Sequence, residues 1–362
     1  MNNNYCIIMA GGTGTRFWPL STRKKPKQFL DILGTGRTLL QLTFDRFRNI
    51  CPVENIFVVT NEIYKDIIAE QLPELSENQV LYEPKKRNTA PCIAYANYKI
   101  ETINPEANIV VTPSDHLIIK EQEFLTVIKN GLEFTQEHKA LLTLGINPSR
   151  PETGYGYIQI DRSEESKEND NIFRVKTFTE KPNLDLAQKF YESDEYYWNS
   201  GVFIWSLETI KNAFKEYLPD IDELFYKGLD KYNTEEEYEF ISDVYFKSKS
   251  ISIDYGIMEK ADNVFVYTSD FGWADLGTWG SLQEFLDKDE QGNSVSGDNV
   301  MLYNVNDSII NLPKDKLVVI NGLEDYIVVD TEDKLLIYKK EDEQEIKDVV
   351  ETIKKEKGEE YI

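Results

Sequence analysis

An apolar, strand-like run, Cys6-Ile7-Ile8-Met9-Ala10, breaks directly into Gly11-Gly12-Thr13-Gly14-Thr15-Arg16, and this junction constrains the whole chain. Glycines immediately after a strand let the backbone approach a ligand, and successive N–H groups in such a turn can surround a phosphate. Arg16 and, beyond Pro19 and Pro26, Lys27 add fixed positive charge where a polyphosphate would lie. Two familiar glycine loops fail on these residues. A dinucleotide-binding Gly-x-Gly-x-x-Gly starting at Gly12 would need glycine where Phe17 stands, and a P-loop would need Gly-Lys-Ser/Thr where Arg16-Phe17-Trp18 follow. Taken alone, the loop is also compatible with a plain glycine-rich turn.

Bulk properties narrow the partners. At 362 residues, with 41% hydrophobic and 12% aromatic content, the chain can bury a large core, as a folded globular protein does. No apolar run approaches the ~20 residues of a membrane span. Met1-Asn2-Asn3-Asn4 lacks the charged and apolar regions of a signal peptide, and Cys6, Cys51 and Cys92 form no metal or disulfide spacing, so a cytoplasmic location is expected. Against 40 basic residues stand 64 acidic ones, a formal charge of −24, which excludes nucleic acid and anionic membrane as partners. An anionic substrate must then be drawn in by a local basic cluster. The clearest are Arg23-Lys24-Lys25 with Lys27, and Lys85-Lys86-Arg87. Charge runs are ordinarily solvated faces, but placement beside the glycine loop and an Asn-Thr turn singles out Lys27 and Arg87. With only His116 and His138 present, neither a histidine metal centre nor a histidine-led relay is expected.

Strand-like runs at Tyr5–Met9, Ile56–Thr60, Gln79–Tyr82, Ile109–Thr112 and Leu141–Gly145 alternate with helical spacings at Leu39–Arg48, Glu62–Glu70, Ala90–Glu101 and Glu123–Glu137. This alternation predicts an α/β fold: a mostly parallel, Rossmann-like sheet with helices on both faces. Ligands on such sheets bind at the carboxyl ends of strands, where the glycine loop and Asp115 fall. The middle of the chain is less regular, with strand-like Gly156–Ile160, Phe173–Phe178 and Gly201–Trp205 extending the sheet and polar Asp161–Asp170 as a hairpin tip. The charged run Asp287-Lys288-Asp289-Glu290 marks a boundary, dividing the chain into domains 1–287 and 288–362. Short strands then dominate (Val300–Tyr303, Ser308–Asn311, Leu317–Ile320, Tyr326–Val329, Leu335–Tyr338), with a charged helix Glu341–Lys355 after them. They read either as stacked β rungs or as a small antiparallel sheet. Holding no phosphate loop, metal spacing or histidine, they are expected to build an oligomer contact.

The glycine loop followed by Pro26-Lys27-Gln28-Phe29 resembles the signature of the sugar-1-phosphate nucleotidyltransferases, and the Pro-Lys-Gln-Phe form is similar to the mannose-1-phosphate guanylyltransferase branch. Further segments resemble that family in the same order: Arg87-Asn88-Thr89-Ala90-Pro91, Ser114-Asp115, Gly154-Tyr155-Gly156-Tyr157, Glu180-Lys181-Pro182, Trp198-Asn199-Ser200-Gly201, Ile253-Asp254-Tyr255-Gly256-Ile257-Met258-Glu259-Lys260 and Trp273-Ala274-Asp275-Leu276-Gly277. The order of separated motifs, over residues 5–280, is more specific than any one of them. Gly256 departs from the alanine common in relatives.

The resemblance implies a GT-A-like nucleotidyltransferase fold followed by a short left-handed β-helix; the oligomer expected from the C-terminal strands is a homodimer. It implies transfer of a guanylyl group from GTP to mannose 1-phosphate; another hexose 1-phosphate or base, or a catalytically silent nucleotide-sugar-binding subunit, are the alternatives. Arg16 and Lys27 would be catalytic, and Gly11, Gly12, Thr13, Gly14, Thr15, Glu83 and Asn88 would bind nucleotide. Gly156, Glu180, Lys181 and Asn199 would bind the sugar phosphate, and Asp115 and Asp275 would hold Mg²⁺. Beside these roles stand plainer ones. A lone Asp275 suits a turn, Glu180-Lys181 a surface ion pair, Glu83 a solvated position before Pro84, and Asp254 a helix cap.

Overall fold

The computed structural model describes residues 3–165 and 169–362. They form two compact units whose segments interleave along the sequence. Of the described residues, the first comprises those within 3–11, 41–114 and 118–273, the second Gly12–Leu40, Asp115–Leu117 and Ala274–Ile362.

The first unit is built on a nine-stranded sheet: β1 (Asn4–Met9), β2 (Ile56–Asn61), β3 (Val80–Glu83), β4 (Asn108–Pro113), β5 (Leu141–Ile146), β6 (Gly156–Glu165), β7 (Ile172–Glu180), β8 (Tyr196–Ser206) and β9 (Val264–Ser269). Their order is β3-β2-β1-β4-β8-β5-β9-β7-β6, with β6 also pairing β8. The early strands pair in parallel, Ile7 facing Phe57 and Val111 in register, as the strand–helix alternation predicts. β5 and β9 are also parallel, whereas β8 runs antiparallel to β4 and β5, and β7 to β6 and β9. The strand expected at Gly156–Ile160 runs on to Glu165; residues 166–168 of the polar stretch lie outside the described residues.

Helices α1 (Leu39–Phe47), α2 (Lys65–Gln71), α3 (Thr89–Glu101) and α4 (Glu121–Glu137) fall within two residues of most sequence limits, α2 being preceded by a 3₁₀ turn over Glu62–Tyr64. Then come α5 (Leu184–Glu192), α6 (Leu207–Tyr217), α7 (Pro219–Tyr226) and α8 (Glu237–Lys247). β1 is buried at four consecutive positions, Tyr5 to Ile8, because a central strand is covered on both faces and needs no polar side. The main core joins Ile7, Val111, Phe203 and Trp205 to α3, α6, α7 and α8. Pro91 sits in the first turn of α3, where its missing N–H has no helical partner to lose.

In the second unit the C-terminal strands stack. β10 (Ser294–Ser296), β12 (Ile309–Asn311) and β14 (Tyr326–Asp330) pair in parallel, as do β11 (Val300–Tyr303) and β13 (Val318–Asn321). Only β15 (Leu335–Lys339) is antiparallel, against β14. Parallel rungs around Val305, Ile310, Leu312 and Val328 replace the antiparallel alternative. A 3₁₀ turn over Lys340–Glu345 leads into a helix over Ile346–Glu356. Among the described residues no helix is long and apolar enough to cross a membrane.

Candidate active site

The second unit gathers the glycine loop, Lys27 and both aspartates. Gly14 adopts φ 54°, and a side chain there would meet Lys27 Cβ at 2.7 Å and Ser21 Oγ at 2.9 Å, so only glycine lets the loop close onto Lys27. Gln28 donates to the Gly12 carbonyl (2.9 Å) and Ser21 to that of Thr13 (3.2 Å), which fixes the loop's path. Arg16 is exposed on the 3₁₀ turn Thr15–Phe17. Lys27 is instead 4% exposed, and its ammonium contacts Asp115 Oδ2 at 2.8 Å and the carbonyls of Asp275 at 2.8 Å and Leu276 at 3.0 Å. One cation therefore draws together three segments that stand far apart in the chain, the last of them 249 positions away.

Asp275 Oδ1 accepts from the Gly277 N–H at 2.9 Å, the local turn its neighbours suggest, while its backbone oxygen joins Lys27. Burial acts to raise the Asp115 carboxyl, but the charge of Lys27, His116 and the hydrogen bonds outweigh it and hold it below the usual range. Magnesium takes one or two carboxylates while phosphates and water complete its shell, and Asp115 and Asp275 offer oxygens of that hard kind. Among the described residues no cluster of three or more His, Cys, Asp or Glu could hold a metal by itself. The C-terminal segment supports the same loop: the Trp18 indole donates to the Tyr361 carbonyl (2.8 Å), and Arg23 pairs with Glu359 (2.7 Å).

The first unit holds the remaining groups in two places. Glu83 is buried at 7% exposure, not solvated, because β3 ends beneath α8 and Tyr245 donates to its Oε1 at 3.2 Å. Burial pushes its carboxyl up to about 7, against smaller opposing effects of Tyr245 and Lys86. Asn88 stands at φ 68° as the N-cap of α3, its side-chain oxygen accepting from Thr89 N at 2.9 Å. Arg87, singled out as an anion-binding candidate, caps α8 instead, donating to the carbonyls of Tyr245 (2.8 Å) and Phe246 (3.1 Å). A helix's last carbonyls lack partners of their own and attract a cation. The same turn is stitched to the Ile253-Asp254 segment through Ile251 N to the Arg87 carbonyl and Ile253 N to Thr89 Oγ1.

The second place lies where β6, β7 and β8 meet. Gly156 pairs with Glu180 in register, and any side chain at Gly156 would collide with the Glu180 carboxylate and press on Asn199. Glu180 and Lys181 form an ion pair, the lysine largely exposed and at φ 48°. Asn199 is engaged within the protein: its oxygen accepts from Thr143 Oγ1 (3.0 Å) and Gly201 N (3.2 Å), and its amide donates to Asp254 Oδ1 (2.9 Å).

Asp254 does not cap a helix with its side chain. It opens a π-helical turn, Asp254–Met258, and faces Asn199, with burial and then Glu180 raising its carboxyl to about 6. The tight turn explains Gly256, where a methyl would meet Leu218 Cδ1 at 2.8 Å. The Thr143–Asn199–Asp254 chain and the Tyr245–Glu83 pair carry no local signal, since their partners are 55 to 162 positions apart.

The nucleotidyl transferase family profile matches residues 5–292, and a second, described as a mannose-phosphate isomerase/GMP-like β-helix domain, matches 298–353. The chain belongs to the nucleotidyl transferase family. Its curated relatives narrow the branch: the mannose-1-phosphate guanylyltransferase of Salmonella montevideo is 39% identical over 98% of this chain and 75% of its own length. The Escherichia coli protein of the same name is 36% identical over 95% of this chain and 74% of its own. Among solved structures, one described as a mannose-1-phosphate geranyltransferase from Thermus thermophilus superposes with a TM-score of 0.86 at 28% identity, covering 98% of this chain and all of that one.

Proposed function

We propose that the protein transfers the guanylyl group of GTP to mannose 1-phosphate, giving GDP-mannose and pyrophosphate. The observation that carries this reading is Lys27 joining Asp115 to the Asp275 loop directly behind the glycine turn, in a chain that matches guanylyltransferases over nearly its whole length. The sugar's phosphate oxygen attacks the α-phosphorus, a new P–O bond forms, and the bond to the β-phosphate oxygen breaks as pyrophosphate leaves. The attacking phosphate is already an anion at neutral pH, so no protein nucleophile is required.

The chain's own part is to position and to neutralise. The loop Gly11, Gly12, Thr13, Gly14 and Thr15 offers backbone to the triphosphate, and exposed Arg16 supplies charge to it. Lys27 acts chiefly by holding the two aspartate segments. Asp115 and Asp275 are the groups that would hold a magnesium ion, whose chemistry is to neutralise charge on phosphate oxygens. Glu83 accepts from the guanine N1–H and amino group, which lie side by side, and Asn88 supports the base or ribose through its amide. Glu180, the bare backbone of Gly156 and Asp254, held by Asn199, receive the sugar hydroxyls, and Lys181 its phosphate.

The last role gives a clean kinetic expectation. Lys181→Met keeps the alkyl stem and removes a charge present before and during reaction, so KM for mannose 1-phosphate rises while kcat holds. Initial rates across sugar-phosphate concentration decide it; lost GTP affinity with sugar affinity intact would reverse the placement of the two substrates.

A cytoplasmic homodimer belongs to the same proposal, with its domain boundary near residue 288. Met301, Val319 and Leu317 face outward on and beside the β11–β13 pair at 46 to 60% exposure, an apolar row that a second copy would cover. Light scattering at micromolar concentration should give twice the chain mass. Pyrophosphate release with GTP, magnesium and a panel of sugar phosphates tests the reaction itself. Mannose 1-phosphate should be preferred, and GTP should exceed ATP by at least ~10²-fold, the discrimination expected when a wrong partner leaves buried polar groups unpaired.

A further inference from the structure

Glu83 is held by an unusual division of its two oxygens. Oε1 accepts from the Tyr245 hydroxyl at 3.2 Å, while Oε2 faces the bare Cα of Gly11, where a methyl would stand only 3.2 Å away. The tyrosine is itself fixed. Its ring lies edge-on to Phe225 at 5.9 Å and to Tyr95 at 6.4 Å, and Arg87 anchors the helix turn that bears it. Asn61 donates to the Glu83 carbonyl at 3.1 Å, so the backbone beneath the carboxylate is held as well.

We propose that Tyr245 is a positioning residue for base choice: its hydroxyl clamps Glu83 in the ionised, oriented form that accepts guanine and rejects adenine. The proposal rests on the reading that Glu83 contacts the base. An ionised carboxylate is acceptor-only and matches the two adjacent donors of guanine. A protonated carboxyl carries one donor and one acceptor, which suits adenine's N1 acceptor and N6 donor instead. Preference for GTP therefore depends on the charge of Glu83.

The groups facing that carboxylate are Tyr245 from α8, Cys92 from α3 and Lys86 from the turn after β3. Burial, followed in each case by Glu83, pushes both the Cys92 thiol and the Tyr245 phenol well up, so both stay neutral near pH 7. Glu83, raised to about 7 chiefly by burial, titrates in that range. As pH rises through about 7 the carboxyl ionises and the GTP preference grows; as pH falls it is lost. Removing the Tyr245 hydroxyl withdraws a hydrogen bond that favours the ionised form, so the transition moves to higher pH.

The experiment measures Kd for GTP and for ATP by calorimetry from about pH 6 to 9, on the full chain with Tyr245→Phe and Glu83→Gln beside the native protein. In Tyr245→Phe the GTP-over-ATP ratio at neutral pH should drop about 2- to 10-fold, the range of one net hydrogen bond, and recover at alkaline pH. Recovery also shows that the variant is folded. A Tyr245→Phe profile that superposes on the native one, while Glu83→Gln abolishes the preference, overturns the role of Tyr245 alone. A preference unchanged in Glu83→Gln overturns the contact with the base and the proposal with it.

Discussion

Asp115→Asn and Asp275→Asn should each lower kcat by at least ~100-fold, comparable to removing a key electrostatic stabiliser. Either change deletes one formal charge and nearly preserves shape, so the loss comes from charge and not from packing. Stability should separate the two. The Asp115 carboxylate is the partner of Lys27, and its conversion to an amide breaks an ion pair whose lysine is 5% exposed. Asp275 meets Lys27 through its backbone oxygen, which survives substitution, so Asp275→Asn should melt close to the native protein. Magnesium titration followed by calorimetry supplies the readout independent of turnover: both variants should bind the ion more weakly. Native affinity and native kcat at limiting magnesium in either variant would remove that residue from the proposed metal pair.

Lys27→Met should be the second large effect, and of a different kind. The buried ammonium reaches the Asp115 carboxylate and two backbone carbonyls. Methionine fills the space beside Phe17, over whose ring the ammonium sits at 5.7 Å, but leaves those acceptors without their donor. The expected cost is about 1–3 kcal/mol of stability, as for a buried acceptor left unpaired. With the Asp115 and Asp275 segments no longer tied, kcat should fall at least ~100-fold as well, since catalysis by positioning depends steeply on placement. Unfolding in urea and steady-state kinetics report the two effects separately. Lost turnover with unchanged stability would mean that Lys27 acts on the substrate alone and tethers nothing.

Much of the fold was legible because it rests on local signals. β-branched runs alternating with apolar spacings of three and four placed the strands from Asn4 to Ile146 and most of the helices between them. The glycine loop, Asp115 at the end of β4 and the turn at Asp275 could be read for the same reason: each depends on residue types within a few positions. What stayed hidden is long-range pairing. Nothing near Gly14 shows that it will pack with Asp115 and the chain after residue 290 in one unit, because the loop segment meets the C-terminal turn through contacts such as Trp18 to Tyr361, 343 positions apart.

Charge was the other weak guide. Arg87 looked available for an anion, but the end of α8 takes its guanidinium first. Asn199 looked like a hydroxyl partner, but Thr143 and Asp254 use its amide. Glu83 before Pro84 suits either a base contact or a solvated position, and only the packing of α8 over β3 shows that it is buried. In each case the side chain's chemistry was clear, and the element packed against it decided what that chemistry faces.

The most direct test of the guanylyl-transfer reading follows the α-phosphate. Native protein incubated with α-labelled GTP, magnesium and mannose 1-phosphate should place the label in GDP-mannose, with one pyrophosphate released per nucleotide sugar and inversion at the α-phosphorus, as a single in-line displacement requires. GTP that binds while no label enters GDP-mannose would contradict the account and leave a nucleotide-sugar-binding subunit in its place.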